Sequence, residues 1–416
     1  MISRKDIELM APVGSYETLM AAIQGKADAI YFGIGKLNMR SKSTNNFTVN
    51  DLEKIVGICN QNGLKAYVTV NTVMYDNDIT EMKETVDGCK KFGVHAIIAS
   101  DLAVLNYAKS VGVEIHISTQ QNISNTESVK FFAQYADVVV LARELNMNQV
   151  KTIYSAIENE KIVGPKGQPI KIEMFAHGAL CMAISGKCYL SLHEYNHSAN
   201  RGECLQICRR AYTVTDKETN AQLEVDNEYI MSPKDLCTIG FIDRLFDAGV
   251  RVLKIEGRAR SAEYVKTVSE CYNEAINAYF DGSYNKEKID TLTAKLSTVY
   301  NRGFWDGYYL GRRLGEWSEI YGSKATKKKI YIGKCLNYFS KINVAEFIVE
   351  TNSIEKGDEI IIIGPTTGVL ETTLDEIRVD LKPIEKAIKG EKFSIPVNTV
   401  VRRADKLYKL VENMDI

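Results

Sequence analysis

Eight short apolar runs recur through the first part of the chain, most of them followed by a segment with helical periodicity. No other feature limits the fold so strongly. The runs are IELMAP (7–12), AIYFGI (29–34), AYVTVN (66–71), AIIASD (96–101), EIHIST (114–119), VVVLARE (138–144), KIEMFAHG (171–178) and VLKIEG (252–257). Runs that are largely apolar throughout, bounded by polar or glycine residues, are the mark of strands covered on both faces. The segments between them, such as SYETLMAAIQGK and DLEKIVGICNQNG, are amphipathic. Gly63, Gly93 and Gly112 stand where a helix C-terminus requires φ > 0. Alternation of this kind predicts a parallel sheet, and eight units predict a (β/α)8 TIM-like barrel. A doubly wound sheet shares the local pattern.

The regular alternation breaks once. Residues 178–251 separate the seventh run from the eighth, where one crossover helix would suffice, so a cysteine-rich insertion is expected at about 178–251. It begins at a strand C-terminus, the end of a barrel at which chemistry is built. Residues 263–322 read as helical with a tyrosine-rich end, completing a first domain over 1–322. From Lys327 the pattern changes to strands and turns (KKIYIGKCL, VAEFIVET, GDEIIIIGP, GVLETTLDEIRV, KFSIPV, KLYKLV), which predicts a small all-β barrel domain over 323–416.

Charge gives little direction. Fifty-two basic and fifty-three acidic residues leave a net charge of −1, so a nucleic-acid partner would need a local basic patch. The second domain, with sixteen basic and fourteen acidic residues, is not such a patch. The N-terminus lacks the apolar run of a signal peptide, and nowhere do eighteen apolar residues run together, so the expectation is a cytoplasmic protein with no membrane segment. Thiols stay reduced in that compartment, and clustered cysteines there point to metal or catalysis rather than disulfides.

Five of the nine cysteines fall within 57 residues: Cys181, Cys188, Cys204, Cys208 and Cys237, with 6, 15, 3 and 28 residues between successive members. A structural zinc site uses pairs two to four residues apart, and only Cys204/Cys208 qualifies, so zinc is the minor option. An iron–sulfur cluster tolerates scattered thiolates because its irons face different directions. Lys187, Arg201, Arg209 and Arg210 would favour thiolates and offset negative cluster charge. Cys59, Cys89, Cys271 and Cys335 sit in helical or strand patterns and read as inert buried residues.

Polar residues stand at the strand ends: Asn71, Asp101, Ser118, Gln120, Arg143, Glu144 and His177. In KIEGR, period-two alternation places Lys254, Glu256 and Arg258 on one side, two cations flanking a carboxylate, which suits a carboxylate-bearing substrate. His177 is a candidate proton carrier or supporting group. The chain contains no G-x-S-x-G, and H-E-x-x-H occurs once, as HEYNH at 193–197.

The segments EMFAHGALCMAISGKCYLS, NRGECLQICRRAY, MSPKDLC, LKIEGRARSAEYV and ELMAPVGSYETLMAAIQGKADAIYFG together resemble the collagenase-like peptidase family U32, across most of residues 7–310. The C-terminal segment is similar to the elongation-factor-like β-barrel of longer members. Despite the family's name, the resemblance implies oxygen-independent hydroxylation, of RNA bases or of ubiquinone precursors. The RNA branch makes 5-hydroxyuridine in tRNA or 5-hydroxycytidine in 23S rRNA and depends on prephenate. The resemblance also implies a 4Fe-4S cluster, with the first three ligands matching Cys181, Cys188 and Cys204 and the fourth aligned to Cys237, Cys208 being the alternative. Length and the appended domain place the chain nearest the tRNA branch, with tRNA and prephenate as partners and Lys254 and Arg258 holding the prephenate-derived group. A second subunit of the same family, a non-catalytic Fe-S subunit role, rRNA as target and a genuine peptidase are the competing expectations.

Overall fold

The computed structural model describes residues 2–42, 46–213, 215–220, 231–311, 315–320 and 322–414. All eight apolar runs form strands: β1 (Glu8–Pro12), β2 (Ala29–Gly33), β3 (Lys65–Val70), β4 (Ala96–Ala99), β5 (Ile115–Ile117), β6 (Val138–Val140), β7 (Lys171–Gly178) and, after a short intervening β8 (Asp235–Cys237), β9 (Val250–Ile255). The first seven pair in parallel in chain order, and β9 pairs in parallel with both β7 and β1. That double pairing closes the sheet into a barrel and rules out the doubly wound alternative.

The outer layer is α1 (Tyr16–Gln24), α2 (Leu52–Gln61), α3 (Ile79–Lys91), α4 (Leu102–Val111), α5 (Thr126–Ala133) and α6 (Met147–Asn159). The insertion carries α7 (Leu190–Tyr195), and α8 (Ile242–Asp247) and α9 (Ala262–Asp281) complete the ring, with α10 (Lys286–Ser297) after it. Polar side chains start several of these helices. Ser15, Asp101, Asn125 and Asn146 accept the backbone N–H of Thr18, Ala103, Ser128 and Gln149, each satisfying a donor that the first turn leaves open. Asp101 also accepts the Met74 N–H at 2.9 Å, so its place at a strand end is structural.

Two strands were not legible as runs. β8 is antiparallel to the end of β7, with Cys237 opposite His177, and the two-residue β10 (Phe304–Trp305) adds to it in parallel. They extend the sheet beyond the barrel beneath the insertion.

The C-terminal strands are β11 (Lys327–Phe339), β12 (Val344–Val349), β13 (Ser353–Glu355), β14 (Glu359–Gly364), β15 (Gly368–Thr373), β16 (Ile377–Val379), β17 (Lys382–Ile384), β18 (Lys386–Ile388), β19 (Lys392–Pro396) and β20 (Lys406–Glu412). Eight of them form one antiparallel sheet, and β13 and β18 form a separate ribbon. Phe347, Phe393, Ile332, Ile362 and Leu407 share one core, so the sheet folds around its own interior.

This second unit is docked on α1 and α9. Ile361 and Val369 belong to the barrel's core, and Lys329 pairs with Glu263 at 2.7 Å. The Gln24 side chain donates to the Thr367 carbonyl at 3.0 Å and accepts the Val369 N–H at 2.9 Å. Gly368, at φ +69°, lies between these two contacts, and a Cβ there would come within 2.5 Å of Gln24. No helix among the described residues is long and apolar enough to cross a membrane. Gln24→Ala removes both hydrogen bonds and should cost about 1–2 kcal/mol. The loss should appear in urea unfolding, with faster protease cleavage between Trp305 and Lys327; unchanged cleavage and stability would show that the apolar contact alone holds the units together.

Candidate functional site

The C-terminal ends of the barrel strands and the start of the insertion enclose a cavity of about 220 Å³. Its polar wall comes from the strand ends: Thr69 and Asn71 on and after β3, Ser118 and Gln120 after β5, Arg143 after β6, and Lys254, Glu256 and Arg258 on and after β9. The insertion supplies the roof, residues 179–186 with Cys188, Cys204, Gln206, Cys208 and Arg209. Of the residues expected at the rim, Asn71, Ser118, Gln120, Arg143, Lys254, Glu256 and Arg258 are brought together here. Asp101, Glu144 and His177 are not among the lining residues.

Among the charged lining residues cations predominate. Arg40, Arg143, Arg209, Lys254, Arg258 and Arg260 face one carboxylate, Glu256. Each strand-borne charge is held by a partner. Lys254 donates to Glu173 at 2.7 Å, both side chains being almost completely buried, and lies 4.6 Å from the Tyr31 ring centroid. Arg258 donates to Asn38 at 3.0 Å and Thr69 at 2.8 Å. Glu256 pairs with Arg40 at 2.7 Å. Burial alone would raise the Glu256 carboxyl, but Arg40, with help from Arg258 and Arg143, outweighs it and holds the group below the usual carboxylate range. Burial lowers the Arg258 guanidinium to about 10, still far above neutral pH, so its charge persists.

Sequence reasoning missed Arg40 and Glu173. Arg40 lies in the irregular segment after β2, where nothing in the local pattern announces it. Glu173 did leave a trace: a carboxylate in the middle of the apolar run KIEMFAHG must find a cation or stay protonated. Below it, on the barrel axis, His116 Nδ1 faces Glu173 Oε2 at 3.9 Å and its Nε2 faces Glu114 at 3.8 Å. The interior thus holds Lys254, Glu173 and His116 beside an apolar filling that includes Met10, Tyr31, Tyr67, Ile98, Val138 and Val252.

The roof is fastened to the barrel on several sides. Arg201 donates to Asp78 at 2.6 and 3.2 Å and to the Val73 carbonyl at 3.1 Å. Arg143 donates to Ser185 at 2.8 Å, and Asn122 donates to the Ser185 carbonyl at 3.0 Å. Gly202, at φ +86°, lies so close to the segment after β2 that a Cβ would come within 2.3 Å of the Asn38 carbonyl. Arg209 is held by the Leu180 and Pro233 carbonyls and by Ser232.

Cys181, Cys188, Cys204 and Cys208 all line the cavity. Burial raises the Cys208 thiol; Arg209 opposes this, and Cys181, Cys204 and Cys188 add to it. Burial likewise raises Cys188, with Cys181 and Cys204 contributing. These four thiols therefore feel one another. Cys237 is elsewhere: it sits on β8, its sulfur 4.0 Å from the Tyr272 hydroxyl, and burial pushes its thiol up to about 11. Among the described residues, no three His, Cys, Asp or Glu side chains converge to hold a single metal ion.

His177 is turned away for an identifiable reason. Period-two alternation would place it with Glu173 and Phe175, but the β7–β9 register shifts between Phe175 and His177. The ring instead packs against Tyr264, Tyr272 and Phe304, at centroid distances of 6.1, 5.5 and 5.5 Å. Burial, with Arg260 adding to it, lowers its pKa to about 3, so it is neutral at physiological pH. The geometry offers it no contact with a molecule in the cavity.

Fold and site together define a class: a (β/α)8 barrel whose catalytic-end mouth is floored by buried cations and roofed by a cysteine-bearing insertion. Residues 14–319 match Peptidase family U32, and the chain belongs to that family. It is 61% identical to a protein named collagenase from Porphyromonas gingivalis, over 97% of this chain and 98% of that one. It is 32% identical to tRNA hydroxylation protein P1 of Bacillus subtilis, over 94% of this chain and 92% of that protein. With a 23S rRNA 5-hydroxycytidine synthase of Escherichia coli the identity is 33%, over 76% of this chain and 47% of the synthase.

Two outcomes follow from the buried charges. Glu173→Gln strands the Lys254 ammonium and should destabilise the fold by about 3–5 kcal/mol, whereas the double change Glu173→Leu/Lys254→Met should cost less than either single change. Urea midpoints decide this, and a loss below about 1 kcal/mol for Glu173→Gln would remove the pair from the account. The second outcome concerns His177. Its folded pKa lies below the unfolded value of about 6.5, so between that pH and about 3 the unfolded chain binds the extra proton and stability falls on acidification. His177→Asn should flatten the decline between pH 7 and pH 5, measured by urea unfolding at each pH; an unchanged slope would contradict the assignment.

Proposed function

We propose that the chain takes part in prephenate-dependent, oxygen-independent hydroxylation of uridine in tRNA, using a 4Fe-4S cluster. The carrying observation is that four thiols and six cations meet in one cavity at the barrel's catalytic end. The relatives named for tRNA and rRNA hydroxylation, similar over most of this chain, support RNA as the substrate class.

The thiols fit such a group by their chemistry. Four of them line a single space, and Cys181 and Cys204 act on both Cys188 and Cys208. That arrangement suits a cluster with four separate corners better than one zinc ion. Cys181, Cys188, Cys204 and Cys208 would hold it, Cys208 in preference to Cys237. When bound, an iron–sulfur cluster supplies electron-transfer or Lewis-acid chemistry that side chains lack.

The chain's own residues do the rest. Arg258, Lys254 and Arg143 present fixed positive charge to a dicarboxylate such as prephenate, each oriented beforehand by its own partner. The roof keeps water from the reacting groups. Asn71, Ser118 and Gln120, linked to one another, offer amide and hydroxyl groups to a base edge. A peptidase reading draws on the 61% identity to a protein named collagenase and on HEYNH at 193–197, but α7 ends at Tyr195 with Asn196 left-handed, so His193 and His197 do not share a helix face as a zinc protease motif requires.

The test combines two measurements. Purified without oxygen, the protein should show the broad visible absorption of an iron–sulfur cluster, with iron and sulfide by analysis; Cys208→Ser should lose it and Cys237→Ser keep it. Nucleosides of tRNA from a deletion strain should lack 5-hydroxyuridine, restored by the wild-type chain and by Glu144→Gln but not by Arg258→Gln. A colourless protein, or unchanged tRNA with gelatin cleaved, would overturn the reading; loss of 5-hydroxycytidine from 23S rRNA instead would move the target.

A further inference from the structure

Close in sequence or contact to the cavity's lining residues, the protein exposes three large aromatic rings. Tyr189 is 68% exposed, Tyr75 58% and Tyr195 45%. Tyr189 stands between two cavity-lining residues, Cys188 and Leu190. Tyr75 follows β3, next to the roof residue Arg201. Tyr195 ends α7 and meets Arg210, the neighbour of the lining residue Arg209.

Two of the three rings are backed by guanidinium groups. Arg201 lies 3.9 Å from the Tyr75 centroid and is itself locked by Asp78 and the Val73 carbonyl. Arg210 lies 5.4 Å from the Tyr195 centroid and donates to its hydroxyl at 2.7 Å. A ring with one face on a cation and substantial area in water is a ready platform for stacking. The segments that carry the rings, 75–78 and 181–213, hold four Lys or Arg and four Asp or Glu, so the exposed rings and not a net charge are what complements unpaired bases.

We propose that Tyr75, Tyr189 and Tyr195 form a stacking collar for single-stranded RNA, holding the nucleotides that flank a base unstacked into the cavity. This rests on the reading of the chain as acting on RNA and adds where and how the RNA docks. The cavity opens at the ends of the barrel strands beneath the roof, so a target base must leave its stack to reach the lining residues, and its neighbours then need surfaces to replace the lost stacking. The collar selects loops over stems because only unpaired bases have open faces.

Fluorescence anisotropy on the full chain tests this, with a labelled RNA hairpin bearing a uridine-containing loop and a fully paired RNA of like composition. Wild-type protein should prefer the hairpin. Each of Tyr75→Ala, Tyr189→Ala and Tyr195→Ala should weaken hairpin binding by roughly fivefold or more, with Tyr→Phe at the same positions close to wild type. Because these residues are exposed, circular dichroism should report an unchanged fold. Hairpin binding that is equal in wild type and all three alanine variants would overturn the collar while leaving the RNA reading intact. No RNA binding by wild type would overturn both. Gelatin binding that depends on the same tyrosines would reassign the rim to peptide.

Discussion

The barrel closes at the place where its chain is interrupted. β7 ends, the chain leaves for the whole insertion, and β9 returns to lie parallel beside β7 with Phe175 level with Lys254. The buried Lys254–Glu173 pair bridges those same two strands. An ion pair so far from water is a poor source of net stability, yet a shifted register would strand both charges, so it penalises every other alignment. The cavity floor, the direction of KIEGR and the root of the roof all follow from that one alignment.

Much of the fold was legible because the barrel strands are covered on both faces and therefore read as uninterrupted apolar runs. The eight runs became the eight barrel strands, and the long gap became the insertion. What escaped was whatever local pattern does not encode. β8 and β10 are too short to show a period and owe their pairing to the end of β7. His177 was read as a candidate proton carrier at a strand end, and a shift in register turns it into the aromatic layer. Arg40 comes from an irregular segment, and only the folded chain carries it to Glu256.

The site was legible in kind more than in detail. Lys254, Glu256 and Arg258 could be grouped because a strand fixes the direction of alternate side chains. The cysteines could not be ranked by spacing, because loops connect them and loop length does not set direction. The path of the roof brings Cys208 beside the other three, while Cys237, tied to β8, faces Tyr272. Strand ends and the segments that follow them thus supply most of the charges, while the insertion supplies the thiols together with Arg209.

The fastening of the roof has a consequence for how molecules enter. Arg201 pins it to the segment after β3, Gly202 presses it against the segment after β2, and Ser185 is tied to Arg143 and Asn122. A cover held at so many points behaves as a fixed grille and not as a door. To lift it as a body, all of these contacts would have to break together, so the way to the interior is the opening that the folded chain already leaves.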